Sequence, residues 1–203
     1  MKRVTLVQAT PDPIETIAKI ASVCYDSRPK DALKMVKKLY ESGHESVFEH
    51  IWFTFRIEGI SRVCSHQLVR HRMCAFTQRS QRYCDESEAN VVLPGQLTLQ
   101  NVEVARALNT TMGLYRDMLS EGVSAEDARY VLPNATRTEI YLSCNLRELI
   151  HICEERLCTR AQKEIRGIVS EMRALVDKDL QFMLVPRCGN PRLNCLNPCK
   201  DKN

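Results

Sequence analysis

The sequence predicts an α+β fold, a single domain with a small mixed or antiparallel sheet and long helices. Strand-like alternation is confined to short runs at residues 4–9, 51–57 and 137–144. Amphipathic helical patterns alternate with these few strands along the rest of the chain. This arrangement favours helices segregated from a small sheet over a doubly wound parallel sheet.

Length and composition are those of an ordinary globular protein, with 203 residues, 44% of them hydrophobic and 27% charged. We expect a catalytic domain over residues 1–185 and a Cys-rich C-terminal tail over residues 186–203. The net charge of +4 is too weak to indicate a general nucleic-acid-binding protein. No stretch approaches the length of a membrane-spanning helix, so we expect no membrane association.

The apolar run near the N-terminus, Val4–Ala9, is too short for the hydrophobic region of a signal peptide and better suits a first strand. The chain contains ten cysteines. Without a secretory signal we interpret them as reduced thiols, and we expect a cytoplasmic protein.

The N-terminal half alternates helical and strand patterns after that first strand. Residues 14–23 and 31–42 carry apolar side chains at helical spacing, and Gly43 ends the second helix. Residues 51–57 (IWFTFRI) alternate and are rich in β-forming side chains, which predicts a strand ending before Gly59. A short helix over residues 61–69 follows.

The C-terminal half is predicted from the same signals. It contains, in order, a polar connection over 84–96, a helix over 102–121, a short helix capped by Ser124, a strand over 137–144, and helices over 146–157 and 161–180. Gly122 ends the long helix and Pro133 breaks the short one. The last two helices are either separate or joined as one bent rod.

The most unusual stretch runs from Arg70 to Tyr83 (RHRMCAFTQRSQRY) and contains four arginines. Arginine presents a planar fork of donors that matches phosphate and carboxylate groups. Gln67, Arg70 and His71 are spaced i, i+3, i+4, so we expect them to share one helix face. Since the chain has neither a GxGxxG nor a GxxxxGK motif, side chains must hold any nucleotide. The alternative for an arginine cluster of this kind is solvated surface.

Other candidate sites are weaker. His44 and His50 are six residues apart, about 240° around a helix, which argues against a zinc-protease site and favours a pocket lining. Cys74 lies among cations but has no evident base, so a packing role competes with a nucleophilic one. Ser80 also lacks a base and is interpreted as a substrate ligand.

The tail contains Cys188, Cys195 and Cys199 in a Pro- and Asn-rich segment. Three thiols of this kind are candidate zinc ligands if a fourth ligand comes from elsewhere. The spacing is not a paired CxxC arrangement, so free thiols are favoured over zinc, and a disulfide is the third alternative. We assign no other metal site.

Arg70-His71-Arg72, followed by seven residues and Ser80, resembles the RHR-x7-S signature of the flavin-dependent thymidylate synthases. Polar clusters near residues 44–50 and 129–160 also match the family in order and with compatible spacing, so the resemblance covers about residues 40–170. It implies methylation of dUMP to dTMP, with methylenetetrahydrofolate as carbon donor, FAD as hydride carrier and NADPH as reductant. It also implies the family's fold and a homotetramer whose active sites lie between subunits.

The resemblance also implies roles for individual residues. Those expected to bind dUMP are Gln67, Arg70, Gln78, Arg79, Ser80, Gln81, Arg82, Arg129 and Arg156, with Arg129 coming from a neighbouring subunit. Those expected to bind FAD are His44, Ser46, Arg70, His71, Arg72, Gln78, Asn145, Arg147 and His151. Arg156 is the expected catalytic residue, because a cation beside the uracil stabilises the charge that develops when the ring acts as a nucleophile.

Four positions depart from a common form of the family pattern, namely Ala75, Thr77, Gln78 and His151, so their individual hydrogen bonds are not implied. Arg147 and Arg156 are nine residues apart, about 180° around a regular helix. We therefore predict either a helix break between them or service to two different active sites across a subunit interface.

Two other function classes use the same features. A flavoprotein reductase would present the same arginine cradle to another substrate. A non-enzymatic RNA-binding module would need aromatic side chains for base stacking. Aromatic residues make up only 6% of the chain, and Phe76 and Tyr83 are the only ones in the Arg-rich segment.

Overall fold

The computed structural model describes residues 3–24, 30–93 and 102–199. Its centre is a four-stranded sheet in the order β1-β2-β4-β3, and every neighbouring pair is antiparallel. The strands are β1 (Val4–Ala9), β2 (Trp52–Ser61), β3 (Ala75–Gln78) and β4 (Arg137–Asn145). The predicted α+β fold with a small sheet is confirmed, and all four strands belong to one domain.

Seven α-helices are found within the described ranges. They are α1 (Pro13–Ser22), α2 (Ala32–Glu41), α3 (Arg62–Leu68), α4 (Val102–Ser120), α5 (Ala125–Ala128), α6 (Leu146–Arg156) and α7 (Lys163–Leu175). Short 3-10 turns occupy Ser46–His50 and Arg129–Val131. No helix within these ranges is both long and apolar enough to cross a membrane.

The sheet has one buried face, because alternate residues of β2 and β4 pair in register. Phe53, Phe55 and Ile57 lie opposite Cys144, Leu142 and Ile140, and all six are buried. Helix α7 packs against β1 and β2, while α3 contacts β2 and β4. On the opposite face Trp52 is 50% exposed and Tyr141 37% exposed. This open face carries large apolar side chains that the described helices do not cover.

Two glycines were predicted to mark element ends in the N-terminal half, and the structure agrees for Gly43 but not for Gly59. Gly43, with φ +78°, follows the end of α2, and the amide of His44 bonds back to the Leu39 carbonyl. Gly59 was expected to follow the end of the second strand, but it has φ +66° at a β-bulge between Glu58 and Ile60. Since a bulge absorbs an extra residue without ending the pairing, β2 continues to Ser61.

The prediction of one helix over residues 161–180 is wrong. Helix α7 ends at Leu175, and Val176 is extended. The side chain of Asp177 accepts a hydrogen bond from the Asp179 amide at 2.9 Å, which starts a separate turn over Lys178–Leu180. Such local bonding competes with helix continuation. Helices α6 and α7 are separate elements, and the predicted connection over 84–96 is described only as far as residue 93.

Two strands lead directly into the helices that carry the candidate site. Ser61 ends β2 and caps α3, with its hydroxyl accepting from the Cys64 amide at 3.0 Å. Asn145 ends β4 and caps α6, with Oδ1 accepting from the Glu148 amide at 2.9 Å. Because β2 and β4 are antiparallel, α3 and α6 start at opposite ends of the sheet.

Candidate functional site

The centre of the candidate site is a contact between the end of α6 and the turn after α3. Nε of Arg156 donates a hydrogen bond to Nε2 of His71 at 2.9 Å. The His71 side chain is 5% exposed, and its Nδ1 lies 3.7 Å from a carboxylate oxygen of Glu148. Its ring also meets that of His151 edge to face, with centroids 5.7 Å apart. Four polar side chains therefore converge where the turn after α3 meets α6.

The protonation state of His71 follows from this environment. Burial, and then the positive charge of Arg156, lower the pKa of His71 to about 4. The imidazole is therefore neutral near pH 7. Since Nε2 accepts from Arg156, the ring proton is on Nδ1, facing Glu148. Burial also raises the pKa of Glu148 above its ordinary value.

The turn that places His71 differs from the predicted arrangement. Helix α3 ends at Leu68, and Val69 is its C-cap. The amide of His71 then bonds to the Leu68 carbonyl at 3.0 Å, which tightens the chain into a turn. The expectation that Gln67, Arg70 and His71 share one helix face is therefore wrong. His71 is buried, whereas Arg70 is exposed.

The predicted break between Arg147 and Arg156 is also wrong, because α6 is continuous over Leu146–Arg156. The two guanidinium groups have different partners. Arg156 bonds to His71 at 2.9 Å, whereas Nε of Arg147 lies 3.2 Å from a carboxylate oxygen of Glu45. The alternative, service to two active sites across a subunit interface, stays a prediction.

The first cavity beside this centre, of about 440 Å³, lies along α6. Its polar lining consists of Glu45, Glu49, Asn145, Arg147, Glu148, His151 and Glu154. Arg147 pairs with Glu45 and Glu49, and its side chain is 52% exposed. A cationic fork, an amide and an imidazole in one cleft are groups that can hold an anionic ligand with a planar ring.

Of the residues predicted to bind flavin, three line this cavity: Asn145, Arg147 and His151. His71 contacts it through the His151 ring. The remaining predicted flavin residues, His44, Ser46, Arg70, Arg72 and Gln78, are not among its lining side chains. All but Gln78 are exposed, and His44 and Ser46 flank the cavity residue Glu45.

A second cavity, of about 370 Å³, lies between α3 and the segment after α5. Its polar lining includes Arg62, Ser65, His66, Gln78, Gln81 and Arg129. The Gln78 amide donates to Ser65 at 2.8 Å and to Thr138 at 3.3 Å, which fixes it between α3 and β4. Three residues predicted to bind nucleotide, Gln78, Gln81 and Arg129, thus meet within one chain.

Other predicted nucleotide ligands have partners inside the protein. Arg79 donates to the buried carboxylate of Glu86 at 2.9 Å, beside a third, acidic cavity. Arg82 pairs with Glu126 at 2.8 Å. Gln78 belongs to β3, whereas Arg79 and Arg82 are held by nearby carboxylates, and the nucleotide-binding roles of residues 78–82 stay predictions.

The last two predicted ligands, Ser80 and Gln67, also have partners inside the protein. The hydroxyl of Ser80 accepts from the Arg82 amide at 3.2 Å. Gln67 donates from its side-chain amide to Gln162, which precedes α7. Neither contact involves a base that would activate a nucleophile.

Sequence reasoning missed three residues near these cavities. Glu148 was detectable, because Asn145-x-x-Glu148 has the spacing of a capping box. Arg62 and His66 are spaced i, i+4 and so share a face of α3. Burial, together with the like charge of Arg129, lowers the pKa of Arg62. Arg62 and Arg129 therefore bring two partly buried positive charges to one cleft, which is an arrangement suited to binding an anion.

The surroundings of the cysteine side chains bear on the roles considered for them. Cys74 is half-buried against the core, and its contact with Cys144 contributes most to raising the pKa of that buried thiol. This favours the packing role for Cys74. All ten cysteines are free thiols. Within the described ranges no three His, Cys, Asp or Glu side chains converge as metal ligands, and Cys199 lies against Cys158, a residue outside the tail.

The chain is similar to known proteins over most of its length. The Thy1 family, described as thymidylate synthase complementing protein, matches residues 5–180. The flavin-dependent thymidylate synthase of Geobacter sulfurreducens is 42% identical over 189 residues, covering 86% of this chain and 82% of that protein.

Solved structures share the fold. The UMP/dUMP methylase PolB from Streptomyces cacaoi, bound to 5-Br dUMP, has a TM-score of 0.71 at 26% identity, covering 84% of this chain and 88% of that one. The flavin-dependent thymidylate synthase ThyX from Helicobacter pylori, in complex with FAD and dUMP, has a TM-score of 0.76 at 20% identity, covering 90% and 97%. Family match and sequence identity together establish that this chain belongs to the flavin-dependent thymidylate synthases.

Proposed function

We propose that this protein methylates dUMP to dTMP, taking the carbon from methylenetetrahydrofolate, with FAD as hydride carrier and NADPH as reductant. Family membership over residues 5–180 supplies the reaction. The observation that carries the proposal is the Arg156–His71 hydrogen bond of 2.9 Å, because it fixes a cationic fork next to His71, whose ring meets the cavity residue His151.

Arg156 is the proposed catalytic residue. Its Nε is engaged by a neutral histidine, so the orientation of the guanidinium plane is restrained while its charge is kept. A fixed cation beside the uracil oxygens stabilises the electron-rich, anionic form of the ring, and it is this form whose carbon 5 can attack the incoming one-carbon unit. Preorganisation matters here, since a guanidinium that must first reorient stabilises the transition state less.

The cavity along α6 fits the flavin proposal. Its volume of about 440 Å³ is within the range of ligand clefts, and Arg147 offers a half-exposed fork for a diphosphate once it is released from Glu45 and Glu49. Asn145 and His151 would orient the ligand, with His71 behind them. Bound FAD supplies the hydride chemistry, and these side chains bind and orient it and exclude water.

The second cavity is the proposed site for the nucleotide monophosphate. Arg62 and Arg129 bring two cations to one opening, and Gln78 and Gln81 add amide groups. Phosphate prefers such paired arginine forks. Arg70, Arg79 and Arg82, together with Gln67 and Ser80, stay proposed nucleotide ligands. For Arg79 and Arg82 this requires release from Glu86 and Glu126 when the nucleotide binds.

The proposed assembly is a homotetramer with active sites between subunits, located in the cytoplasm. The exposed sheet face, with Trp52 50% exposed and Tyr141 37% exposed, supports a covering subunit. Exposed polar residues such as His44, Ser46, Arg70 and Arg72 would then complete a partner's flavin site.

The direct test is formation of dTMP by the purified protein supplied with FAD, dUMP, methylenetetrahydrofolate and NADPH. We expect dTMP with the complete mixture and none when dUMP or the folate is omitted. Bound flavin without any dTMP from the complete mixture would contradict the proposal. Light scattering of the same sample gives the subunit number.

A further inference from the structure

Three thiols meet at the junction of the C-terminal tail with the segment after α6. Sγ of Cys199 lies 3.5 Å from Sγ of Cys158, although the two residues are 41 positions apart. The Cys188 thiol is near enough to influence the pKa of both residues. We propose that Cys158 and Cys199 form a thiol-exchange site that reacts with low-molecular-weight disulfides and closes into an intramolecular disulfide. This site is independent of the proposed methylation.

The geometry requires only a small movement. A disulfide bond is about 2.05 Å long, so the two sulfur atoms need to approach by roughly 1.5 Å. Cys199 is itself 8% exposed but directly follows the exposed residues 196–198, and Cys158 is half-buried beside exposed Thr159, so the pair lies close to the protein surface. Buried thiols such as Cys64 and Cys153, at 0% exposure, have no such access.

The tail is held in place around this pair by contacts to α6. Asn190, which is 3% exposed, donates to Glu154 at 2.7 Å, and Arg187 donates to Glu155 at 2.8 Å. The guanidinium of Arg192 lies 4.4 Å from the Tyr40 ring centroid. These contacts keep the Cys199 thiol beside Cys158 without a covalent bond, which raises the effective concentration of one thiol at the other.

The two thiols differ in reactivity. The side-chain and backbone donors of Thr159, with help from Cys158, lower the pKa of Cys199 to about 6. The Arg160 amide lowers the pKa of Cys158, but burial and the Cys199 thiol outweigh it, so that pKa is raised. Near pH 7 Cys199 is therefore the thiolate that attacks, and Cys158 is the thiol that resolves the intermediate.

The reaction balances with oxidised glutathione as the two-electron oxidant. The Cys199 thiolate attacks one glutathione sulfur, the glutathione S–S bond breaks, and one glutathione thiolate leaves. Cys158 then loses its proton and attacks Cys199, and the second glutathione leaves. Two protein thiols are oxidised to one disulfide, and the disulfide of glutathione is reduced to two thiols.

The test uses the full chain incubated with oxidised glutathione, blocked with N-ethylmaleimide and digested with trypsin without reduction. Cleavage by trypsin leaves Cys158 in the peptide 157–160, Cys188 in the peptide 188–192, and both Cys195 and Cys199 in the peptide 193–200. We expect 157–160 joined to 193–200. The Cys195→Ser variant is the matched control and keeps this product, whereas Cys199→Ser loses it.

Thermal unfolding gives a second readout on the unmodified sequence. The disulfide between Cys158 and Cys199 is expected to raise Tm by about 4 °C or more, and its reduction by dithiothreitol should reverse the shift. Joining of 157–160 to 188–192, a glutathione adduct on Cys199 that never resolves, or persistence of the product in Cys199→Ser would overturn the proposal. So would stoichiometric zinc bound by these thiols with no disulfide formed.

Discussion

Arg156 and His71 form a hydrogen bond of 2.9 Å in which a permanently charged guanidinium group donates to a neutral, buried imidazole. The histidine is 85 residues earlier in the chain, so this contact exists only in the folded protein. It links the Arg-rich segment directly to the residue proposed to act on the uracil.

Replacing Arg156 with alanine is expected to reduce dTMP formation by about 100-fold or more, because the developing charge loses its fixed cation. Arg156→Lys is the matched control, since it keeps the charge but not the planar fork, and its activity should lie between the two. Flavin absorbance and thermal unfolding should change little in both variants. A fully active Arg156→Ala enzyme would refute the catalytic role.

His71 is expected to make the protein sensitive to acid. Its folded-state pKa of about 4 lies below the unfolded value of 6.5, so between these pH values the unfolded chain binds the extra proton. Stability is therefore lost as pH falls from 6.5 to 4, by up to about 3 kcal/mol. Glu148, whose pKa is raised, opposes this loss, because protonating it favours the folded state at low pH.

The His71→Gln variant isolates the histidine contribution. Urea unfolding of both proteins at pH 7 and pH 4 gives the change in their stability difference. The wild type should lose more stability on acidification than the variant does. Equal losses in the two proteins would mean that His71 titrates normally in the folded state.

Ser61 is expected to contribute more stability than an ordinary helix cap. Its hydroxyl accepts from the Cys64 amide at 3.0 Å and donates to Glu164 at 2.6 Å, and the side chain is buried. Ser61→Ala therefore removes a cap and leaves a carboxylate oxygen without its partner, a loss of about 2 kcal/mol or more.

Ser124 provides the matched control for that change, because it caps α5 from an exposed position. Ser124→Ala should reduce the free energy of unfolding by about 1 kcal/mol. Chemical denaturation of the two variants gives the comparison. A smaller loss at Ser61 than at Ser124 would show that the Glu164 contact contributes nothing.

Arg147 is expected to matter for flavin binding and little for stability. Its pairs with Glu45 and Glu49 are at the surface, where ion pairs contribute about 0–1 kcal/mol. Arg147→Ala should weaken FAD binding by about 10-fold or more, because a charge-assisted fork to the diphosphate is lost.

Arg187, which forms an exposed pair with Glu155, is the control for Arg147. Arg187→Ala removes an arginine of similar exposure that pairs with the C-terminal turn of α6, away from the cavity lining, and should leave FAD affinity unchanged. Fluorescence titration with FAD separates the two. Equal affinities for all three proteins would remove Arg147 from the proposed flavin site.

The elements with strong local patterns were predictable from the sequence. Alternation in residues 51–57 and the capping serine at 124 both gave the correct element type, since these signals depend on near neighbours. The α7 boundary was not predictable from apolar spacing alone, because the Asp177 side chain starts a new turn. The bulge at Gly59 likewise depends on pairing with β4.

The candidate site was predictable in its composition and less so in its arrangement. The Arg-His-Arg signature located the segment, yet Arg70 is exposed while His71 is buried, since the turn after α3 is decided by tertiary packing. The partners of Arg79 and Arg82 are Glu86 and Glu126, and no spacing rule links Arg82 to a carboxylate 44 residues away.

The proposal that flavin and dUMP meet in one active site can be tested with one measurement. This is the visible absorption spectrum of the protein reconstituted with FAD, recorded before and after addition of dUMP. We predict a bound-flavin spectrum that shifts as dUMP is added and saturates at one nucleotide per flavin, because the proposed reaction requires both ligands to meet in one active site. A bound flavin whose spectrum is indifferent to dUMP, or failure to bind FAD at all, would contradict the account.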